Sequence, residues 1–340
     1  MENVLEVEDN FNVNNNDLNL KKSRWLSQII EYYPINKLSK ICISDLSDSY
    51  KVENDTFNEK EEVVDKKKGT ISLIGSGPGS ISMLTIGALN EIYNADLILA
   101  DKLIPQQILD IIPKNTELFI ARKFPGNADN AQQELLNLGL LNLQKGKRIV
   151  RLKQGDPFIF GRGGEEYLFF NDNGFKPLIL PGLTSALVAP IVSSIPTTHR
   201  DVIDQVLICT GVGKNGKLGS FPKFKSNRTV IFLMSLKKIA DILPELLKKG
   251  WFENLAVCIV EKASCPDQRI IRTTLGCLID VVEIVGIRPP SLLITGNSCD
   301  LLCKLPPNEK YKVEEGYNET LQQFDHGLND IIKNLSGGLV

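Results

Sequence analysis

The sequence predicts an α/β protein made of two α/β domains, and three observations support this fold class. From Gly69 onward, apolar runs typical of strands alternate with amphipathic stretches typical of helices. A second alternation of the same kind begins after Pro196. The 340-residue chain is 42% hydrophobic and 24% charged, so it holds enough apolar material for two cores.

The N-terminal part, residues 1–68, is predicted to be largely disordered or linker. Residues 1–20 and 45–68 are rich in Asn, Asp, Glu and Lys, a composition that buries little apolar surface. Between them, residues 22–43 carry an apolar pattern that fits one or two short amphipathic helices.

The first α/β domain is predicted over residues 69–197. Thr70–Ile74 has the pattern of a buried strand, and the turn Gly75–Gly79 and a helical stretch through Ile92 follow it. The alternation continues with three more strands and two helices. The strands are Ala95–Ala100, Glu117–Ile120 and Arg148–Leu152, and the helices are Pro105–Ile111 and Ala128–Gln144. This order predicts a parallel or mostly parallel sheet.

The second α/β domain is predicted over residues 198–305. Its strands are Gln205–Thr210, Thr229–Met234, Ala256–Val260 and Ser291–Gly296, and its clearest helix is Lys237–Lys249. The polar segment 306–340 is expected to be a tail, either with a terminal helix over Asn318–Leu335 or disordered.

Composition excludes several function classes. A net charge of -2 suggests neither a nucleic acid nor a membrane surface as partner, and the apolar runs end well short of the roughly 20 residues of a membrane span. The seven cysteines show no C-x2-C pair and are accompanied by two histidines, so no metal is expected. With no signal-like N-terminus and no disulfide-like spacing, the expected location is cytoplasmic.

The loop Gly75–Gly79 invites comparison with the dinucleotide fingerprint G-x-G-x-x-G. The third glycine comes too early, and Pro78 removes an N–H that could bind a pyrophosphate. A dinucleotide site and a simple tight turn both remain possible readings of this loop by itself.

A second glycine-rich loop predicts a ligand site. Between Gly155 and Glu166 the chain has four glycines, which allow close backbone approach, and Asp156, which can accept hydrogen bonds from a ligand. Two further segments are less specific by themselves. Thr184 or Ser185 could simply cap a helix, and His199 beside Arg200 could lie in an ordinary surface loop.

Taken in order, these segments resemble the tetrapyrrole methylase family over roughly residues 70–305. The resemblance is carried by Gly75–Gly79, Arg151–Glu166, Pro181–Ala186, Ile195–Arg200 and Glu261–Arg269. It implies a tetrapyrrole methylase fold of two α/β domains with a donor-binding cleft between them, usually in a homodimer. It also implies S-adenosyl-L-methionine as cosubstrate, without a metal.

The string from Gly155 to Glu166 is similar to that of the branch acting on uroporphyrinogen III. This similarity implies methylation of that substrate at C-2 and C-7, through precorrin-1 to precorrin-2, in sirohaem biosynthesis. Residues carried over from the family as the donor site are Pro78, Gln154, Gly155, Asp156, Ile159, Thr184, Ser185, Met234 and Ala263.

The family's acid–base pair falls on Asp101 as proton acceptor and Lys123 as proton donor. Because the substrate carries eight carboxylates, an arginine-rich mouth is expected. Its candidates are Arg122, Arg162, Arg200 and Arg269, with His199 as a positioning residue.

Two alternatives stay open. One is another precorrin methyltransferase, and the other is a catalytically silent methylase-like binding protein, suggested by Gln154, which replaces a family glycine. Residues 24–38 resemble the tail of the dehydrogenase-like domain that precedes the methylase in fungal-type proteins. A shortened form without dehydrogenase or ferrochelatase activity is therefore expected.

Overall fold

A computed structural model describes residues 68–121, 128–213, 216–319 and 322–328. The chain divides into two compact units, 1–65 and 66–340, and all described residues belong to the second. The expectations for residues 1–67, including the short helices within 22–43, lie outside the described residues.

The first sheet has five strands, and every pair of neighbours is parallel. Its strands are β1 (Thr70–Gly75), β2 (Leu97–Ala100), β3 (Glu117–Ile120), β4 (Arg148–Lys153) and β5 (Leu178–Leu180), in the order β3-β2-β4-β1-β5. The helices that accompany it are α1 (Ile86–Tyr93), α2 (Gln106–Leu109), α3 (Ala128–Gln144) and α4 (Gly163–Asp172). The parallel sheet predicted from the alternation is therefore present.

Helices cover both faces of this sheet, as a parallel sheet requires. On one face, Ala88 and Ile92 of α1 and Ile108 of α2 pack with the strands. On the other face, Leu135 of α3 and Phe170 of α4 do the same. The loops that follow β2 and β4 face residues of the second sheet across a shared cavity.

The second sheet has six strands and is mixed, because β6 and β7 are parallel while the other neighbours are antiparallel. Its strands are β6 (Gln205–Thr210), β7 (Arg228–Leu233), β8 (Ala256–Glu261), β9 (Arg269–Thr274), β10 (Ser291–Thr295) and β11 (Tyr311–Glu315), in the order β11-β9-β8-β10-β7-β6. Helices α6 (Ile239–Leu247) and α7 (Leu278–Val285) contribute to its main core.

Strand β11 lies within the segment that the sequence predicts as a tail. It alternates polar and apolar residues at the sheet edge and pairs with β9 from Tyr311 to Glu315. Beyond it, residues 322–328 are helical. There Asp325 Oδ1 accepts hydrogen bonds from Ser80 Oγ at 2.7 Å and from the Ser82 amide at 3.1 Å.

Helix α5 (Ser185–Val192) connects the two sheets. It falls in the first domain predicted from the sequence, yet Ala186 and Ala189 pack with Ile231 and Ile294 of the second sheet. Its N-terminus, capped by Thr184 Oγ1, lies beside the carboxyl ends of the first sheet. This helix therefore positions the second sheet against the loops that carry the site.

Candidate active site

A cavity of about 310 Å³ lies where the carboxyl ends of the first sheet face the second sheet. Loops after β2 and β4 line one side of it, and residues at the ends of β7, β8 and β10 line the other. Its volume is at the lower end of the range usual for small-molecule sites.

Four glycines join the loops around this cavity. Gly77 and Gly155 exchange two backbone hydrogen bonds of 3.2 and 2.9 Å. A Cβ placed on Gly182 would lie 2.2 Å from the Gly155 carbonyl oxygen, and one on Gly75 would lie 2.4 Å from the same atom. Glycine is required at Gly75 and Gly182 because backbone meets backbone there.

The two domains also meet at Gly79. A Cβ at this position would lie 2.7 Å from Cys265 Sγ and 2.9 Å from the Ala263 carbonyl oxygen. In addition, the Ser80 amide donates to Ser264 Oγ at 3.1 Å. The first glycine loop is therefore fixed directly against the segment that follows β8.

All nine residues carried over as the donor site line this one cavity. They come from five separate segments: Pro78; Gln154, Gly155, Asp156 and Ile159; Thr184 and Ser185; Met234; and Ala263. Their convergence could not be read from spacing, because up to 185 residues separate them along the chain.

The carboxylate of Asp156 mainly organises the loops. Its Oδ1 accepts from the amides of Phe158 at 2.8 Å and Ile159 at 3.2 Å, and its Oδ2 accepts from the Gly182 amide at 3.2 Å. The sequence suggested a side chain that binds the ligand through hydrogen bonds. In the structure, Asp156 lines the cavity and ties together two of the loops around it.

The side of the cavity formed by the second sheet has unusual backbone geometry. Met234 has a φ of 53°, and the neighbours of Ala263 have φ values of 48° for Lys262 and 63° for Ser264. Non-glycine residues rarely adopt the left-handed region, and such strain concentrates at ligand sites. Both segments are among those that line the cavity.

Asp101 follows β2 and lines the same cavity. Its Oδ1 accepts from Arg151 Nη2 at 2.6 Å, and the same guanidinium nitrogen lies 3.1 Å from Glu166 Oε1. Glu166 Oε1 also accepts from Lys153 Nζ at 2.6 Å and from Gln132 Nε2 at 2.7 Å. We call Asp101, Arg151, Lys153 and Glu166 the buried ion network.

Burial shapes the ionisation of this network. Burial alone would lower the pKa of Arg151, but the Asp101 and Glu166 carboxylates raise it above its ordinary value. Burial lowers the pKa of Lys153, and the nearby charge of Arg151 lowers it further, while Glu166 opposes both. The formal charges of the four side chains cancel, so the site carries paired charges away from water.

The arginines expected to meet the substrate occupy different places. Arg162 lines the cavity and pairs with Glu165 at 2.7 Å. Arg200 is exposed and Arg269 is buried, and neither is among the described residues that line the cavity. The Arg269 guanidinium donates to Glu261 Oε2 at 2.6 Å and to the carbonyl oxygens of Val285 and Gly286.

Two other predicted residues, Arg122 and Lys123, lie outside the described residues. His199 is exposed, and its Nδ1 lies 2.8 Å from the Arg200 carbonyl oxygen. It does not appear among the described residues of the cavity lining.

Several residues of the lining were assigned no role from the sequence, among them Lys102, Leu103, Gln132 and Lys153. The first two directly follow Asp101, so their position was a usable signal. Lys153 ends a buried strand, and a charge at that point was another signal. Gln132 lies inside the long helix α3 and gave no signal in sequence.

Within the described ranges, no group of three or more His, Cys, Asp or Glu side chains is arranged to hold a metal ion. The same part of the chain contains no helix that is long and apolar enough to cross a membrane. Its six cysteines, starting with Cys209, are free thiols.

The chain is similar to several known methyltransferases. It is 48% identical to the uroporphyrinogen-III C-methyltransferase of Saccharomyces cerevisiae over 340 residues, which cover 91% of this chain and 57% of the yeast protein. The chain thus matches little more than half of that relative. It is 33% identical to the uroporphyrinogen-III C-methyltransferase of Methanocaldococcus jannaschii, covering 69% of this chain and 98% of the archaeal one.

A solved methyltransferase structure is also similar to this chain. Uroporphyrin-III C-methyltransferase from Thermus thermophilus, complexed with S-adenosylhomocysteine, superposes with a TM-score of 0.60 at 29% identity. The match covers 71% of this chain and 98% of the Thermus chain. The family model of the Tetrapyrrole (Corrin/Porphyrin) Methylases matches residues 70–279, which contain both glycine loops and Asp101. The chain therefore belongs to the tetrapyrrole methylase family.

Proposed function

We propose that this chain transfers methyl groups from S-adenosyl-L-methionine to C-2 and C-7 of uroporphyrinogen III, forming precorrin-2 through precorrin-1 in sirohaem synthesis. The observation that carries the proposal is that nine donor-site positions and Asp101 line one cavity. The names of the yeast and archaeal relatives supply the substrate.

The cavity lining fits a sulfonium nucleoside. Ile159, Met234 and Ala263 offer apolar contact for an adenine ring, while Thr184 and Ser185 offer hydroxyls at the start of α5. The donor supplies a methyl group that is already activated by its positive sulfur. The protein must then align the acceptor carbon with that methyl group and exclude water, so much of the rate should come from positioning.

A proton has to leave the macrocycle after each methylation. We assign its acceptance to Asp101, because this carboxylate lines the cavity and the Arg151 guanidinium at 2.6 Å favours its ionised form. Lys123 remains our proposed proton donor by family resemblance, although it lies outside the described residues.

The substrate's carboxylates need cationic partners. Arg162 is the best supported of them, because it lines the cavity and its side chain is partly exposed. Arg122 and Arg200 stay in the proposed set. We leave Arg269 out, because its guanidinium is enclosed in a buried ion pair and two backbone hydrogen bonds.

We further propose that the chain works as a homodimer in the cytoplasm. Support for a dimer comes from Leu183, Leu187 and Ile191, exposed apolar residues at the start and along one face of α5. Such a patch is typical of a surface that meets another protein. The free thiols of the described cysteines agree with a reducing compartment.

The proposal is tested by incubating the purified chain with uroporphyrinogen III and S-adenosyl-L-methionine under anaerobic conditions, followed by mass analysis. We expect a mass gain of two methyl groups, and a matched reaction without the donor should show none. A gain of one methyl group would contradict the two-step reaction. Binding of S-adenosylhomocysteine without any mass gain would identify a silent binding protein instead.

A further inference from the structure

Asp101 is held by a side chain that does not itself reach the cavity. Arg151 is 1% exposed and is not among the described residues that line the cavity. It lies in β4 beside β2, where Ala100 pairs with Leu152, so the residue after β2 meets the end of β4. This register places the Asp101 carboxylate within reach of the Arg151 guanidinium.

The guanidinium is itself fixed in one orientation. Its Nη1 donates to the carbonyl oxygens of Leu99 and Leu152, both at 3.1 Å, and its Nη2 contacts Asp101 and Glu166. Four acceptors therefore hold this planar group: a carbonyl oxygen in each of two strands, the carboxylate that follows β2 and a carboxylate of α4. A group held this way can orient a carboxylate as well as stabilise its charge.

Glu166 explains how two cations can stay buried so close together. It is fully buried and its Oε1 accepts from Arg151, Lys153 and Gln132, while its Oε2 has no partner among the described residues. Without this carboxylate, two buried cations would share Asp101 as their counter-ion. Glu166 thus also limits how strongly Arg151 acts on Asp101.

We propose that Arg151 is a positioning residue for the methyl transfer, which keeps Asp101 ionised and oriented toward the cavity, with Glu166 setting the strength of that effect. This inference rests on the proposed function. Among the described residues, the charged groups facing Asp101 are Arg151 and Lys153 from β4 and Glu166 from α4, with Lys102, Asp156 and Arg162 in the same cavity lining.

The test is the pH dependence of kcat for two variants. In Arg151→Gln the positive charge is lost, so Asp101 is harder to ionise and the acidic limb should move up by about one pH unit. In Glu166→Gln a neighbouring negative charge is lost, so the acidic limb should move to lower pH. Opposite shifts are expected because the two charges act on one carboxylate with opposite sign.

Two controls separate this role from a structural one. Arg148 lies in the same strand and its Nη2 contacts the buried Glu91 at 2.6 Å, far along β4 from Asp101. Arg148→Gln should leave the limb where it is in the wild type. Arg151→Lys keeps the charge, so it should keep the limb near the wild-type position even where kcat falls. Titration with S-adenosylhomocysteine should give unchanged donor affinity in every variant.

The outcomes are distinct. Limbs that stay in place or move in the same direction in Arg151→Gln and Glu166→Gln would overturn the inference while leaving the proposed function intact. Should Arg151→Gln or Glu166→Gln fail to fold, the direction of the shift in the other variant and the unchanged limb in Arg151→Lys decide the question. No turnover by the wild type would overturn the proposed function, and this inference with it.

Discussion

The charged residues around the cavity differ sharply in exposure, and their roles follow from that difference. Arg151, Lys153 and Glu166 are almost fully buried, and both cations bind the Glu166 carboxylate. Breaking such a network by removing one partner leaves an uncompensated buried charge, which is strongly destabilising. Arg162 is different, because its side chain is 39% exposed and it reaches the cavity. It is the arginine that can be changed at small structural cost.

Arg162→Asn should weaken substrate binding without affecting the donor. Arg162 has a φ of 58°, and asparagine tolerates this conformation. Losing one partly exposed charge-assisted hydrogen bond should raise the KM for uroporphyrinogen III about tenfold. The measurement is steady-state kinetics with saturating donor.

A matched control is Lys248→Asn, which removes an exposed cation. Lys248 pairs with Glu245 at 2.7 Å, three positions away in sequence, as Arg162 pairs with Glu165. This variant should leave the KM unchanged. An equal rise in both variants, or a loss of donor affinity in Arg162→Asn, would argue against a substrate contact at Arg162.

For single residues, the sequence was informative where the residue type and its local context already indicated a role. Asp101 after a strand and the glycine-rich loop after Arg151 could both be singled out from their context. The partners of Asp101 could not, because Arg151 and Glu166 meet through the pairing of β2 and β4 and the packing of α4. Whether an arginine is buried depends on the tertiary packing around it, so the sequence alone does not distinguish a buried arginine from an exposed one.

Among the elements, the loops around the cavity depend on three backbones meeting at Gly75, Gly155 and Gly182. The contacts are too close for any side chain at Gly75 or Gly182. The need for glycine in the loop after β1 therefore comes from contacts with distant segments. For this reason the sequence of the loop alone gave only a poor match to the dinucleotide fingerprint.

Gly182→Ala should destabilise the protein and weaken donor binding. The added methyl would lie 2.2 Å from the Gly155 carbonyl oxygen, so the loops must move apart, at a cost of about 1–3 kcal/mol. Urea unfolding measures the stability, and titration with S-adenosylhomocysteine measures the donor affinity.

Gly164→Ala is the matched control, because a Cβ at Gly164 meets nothing within 4 Å and the residue lies in the first turn of α4. It should be neutral or stabilise the protein by up to about 1 kcal/mol. Similar losses of stability in the two variants would contradict a specific junction at Gly182.

Most of the regular elements could be predicted because their apolar periodicity is strong. Helix α3 has the predicted bounds, Ala128–Gln144, and the strands up to β4 match closely. Strand β9 escaped because it carries Arg269 and Arg272, whose burial depends on pairing with Glu261 and Glu314. Strand β11 was not predicted because an edge strand buries few side chains, so its sequence resembles that of a polar tail.

Across the whole described unit, the site exists because two sheets with different strand order face one another. The first sheet supplies Asp101 and the loop after β4, and the second supplies Met234 and Ala263. Helix α5 belongs by sequence to the first domain and by packing to the second, so it fixes the two halves of the proposed donor site relative to each other. Sequence alone could predict both sheets but not this arrangement.

The central claim is that one cavity holds the methyl donor and a separate catalytic carboxylate. It is tested most directly by measuring donor affinity and product formation together for the wild type and Asp101→Asn. We expect S-adenosylhomocysteine to bind both with the same affinity, while precorrin-2 formation by the variant slows by about a hundredfold or more. A parallel loss of donor affinity and turnover would place Asp101 in the donor site and contradict the account.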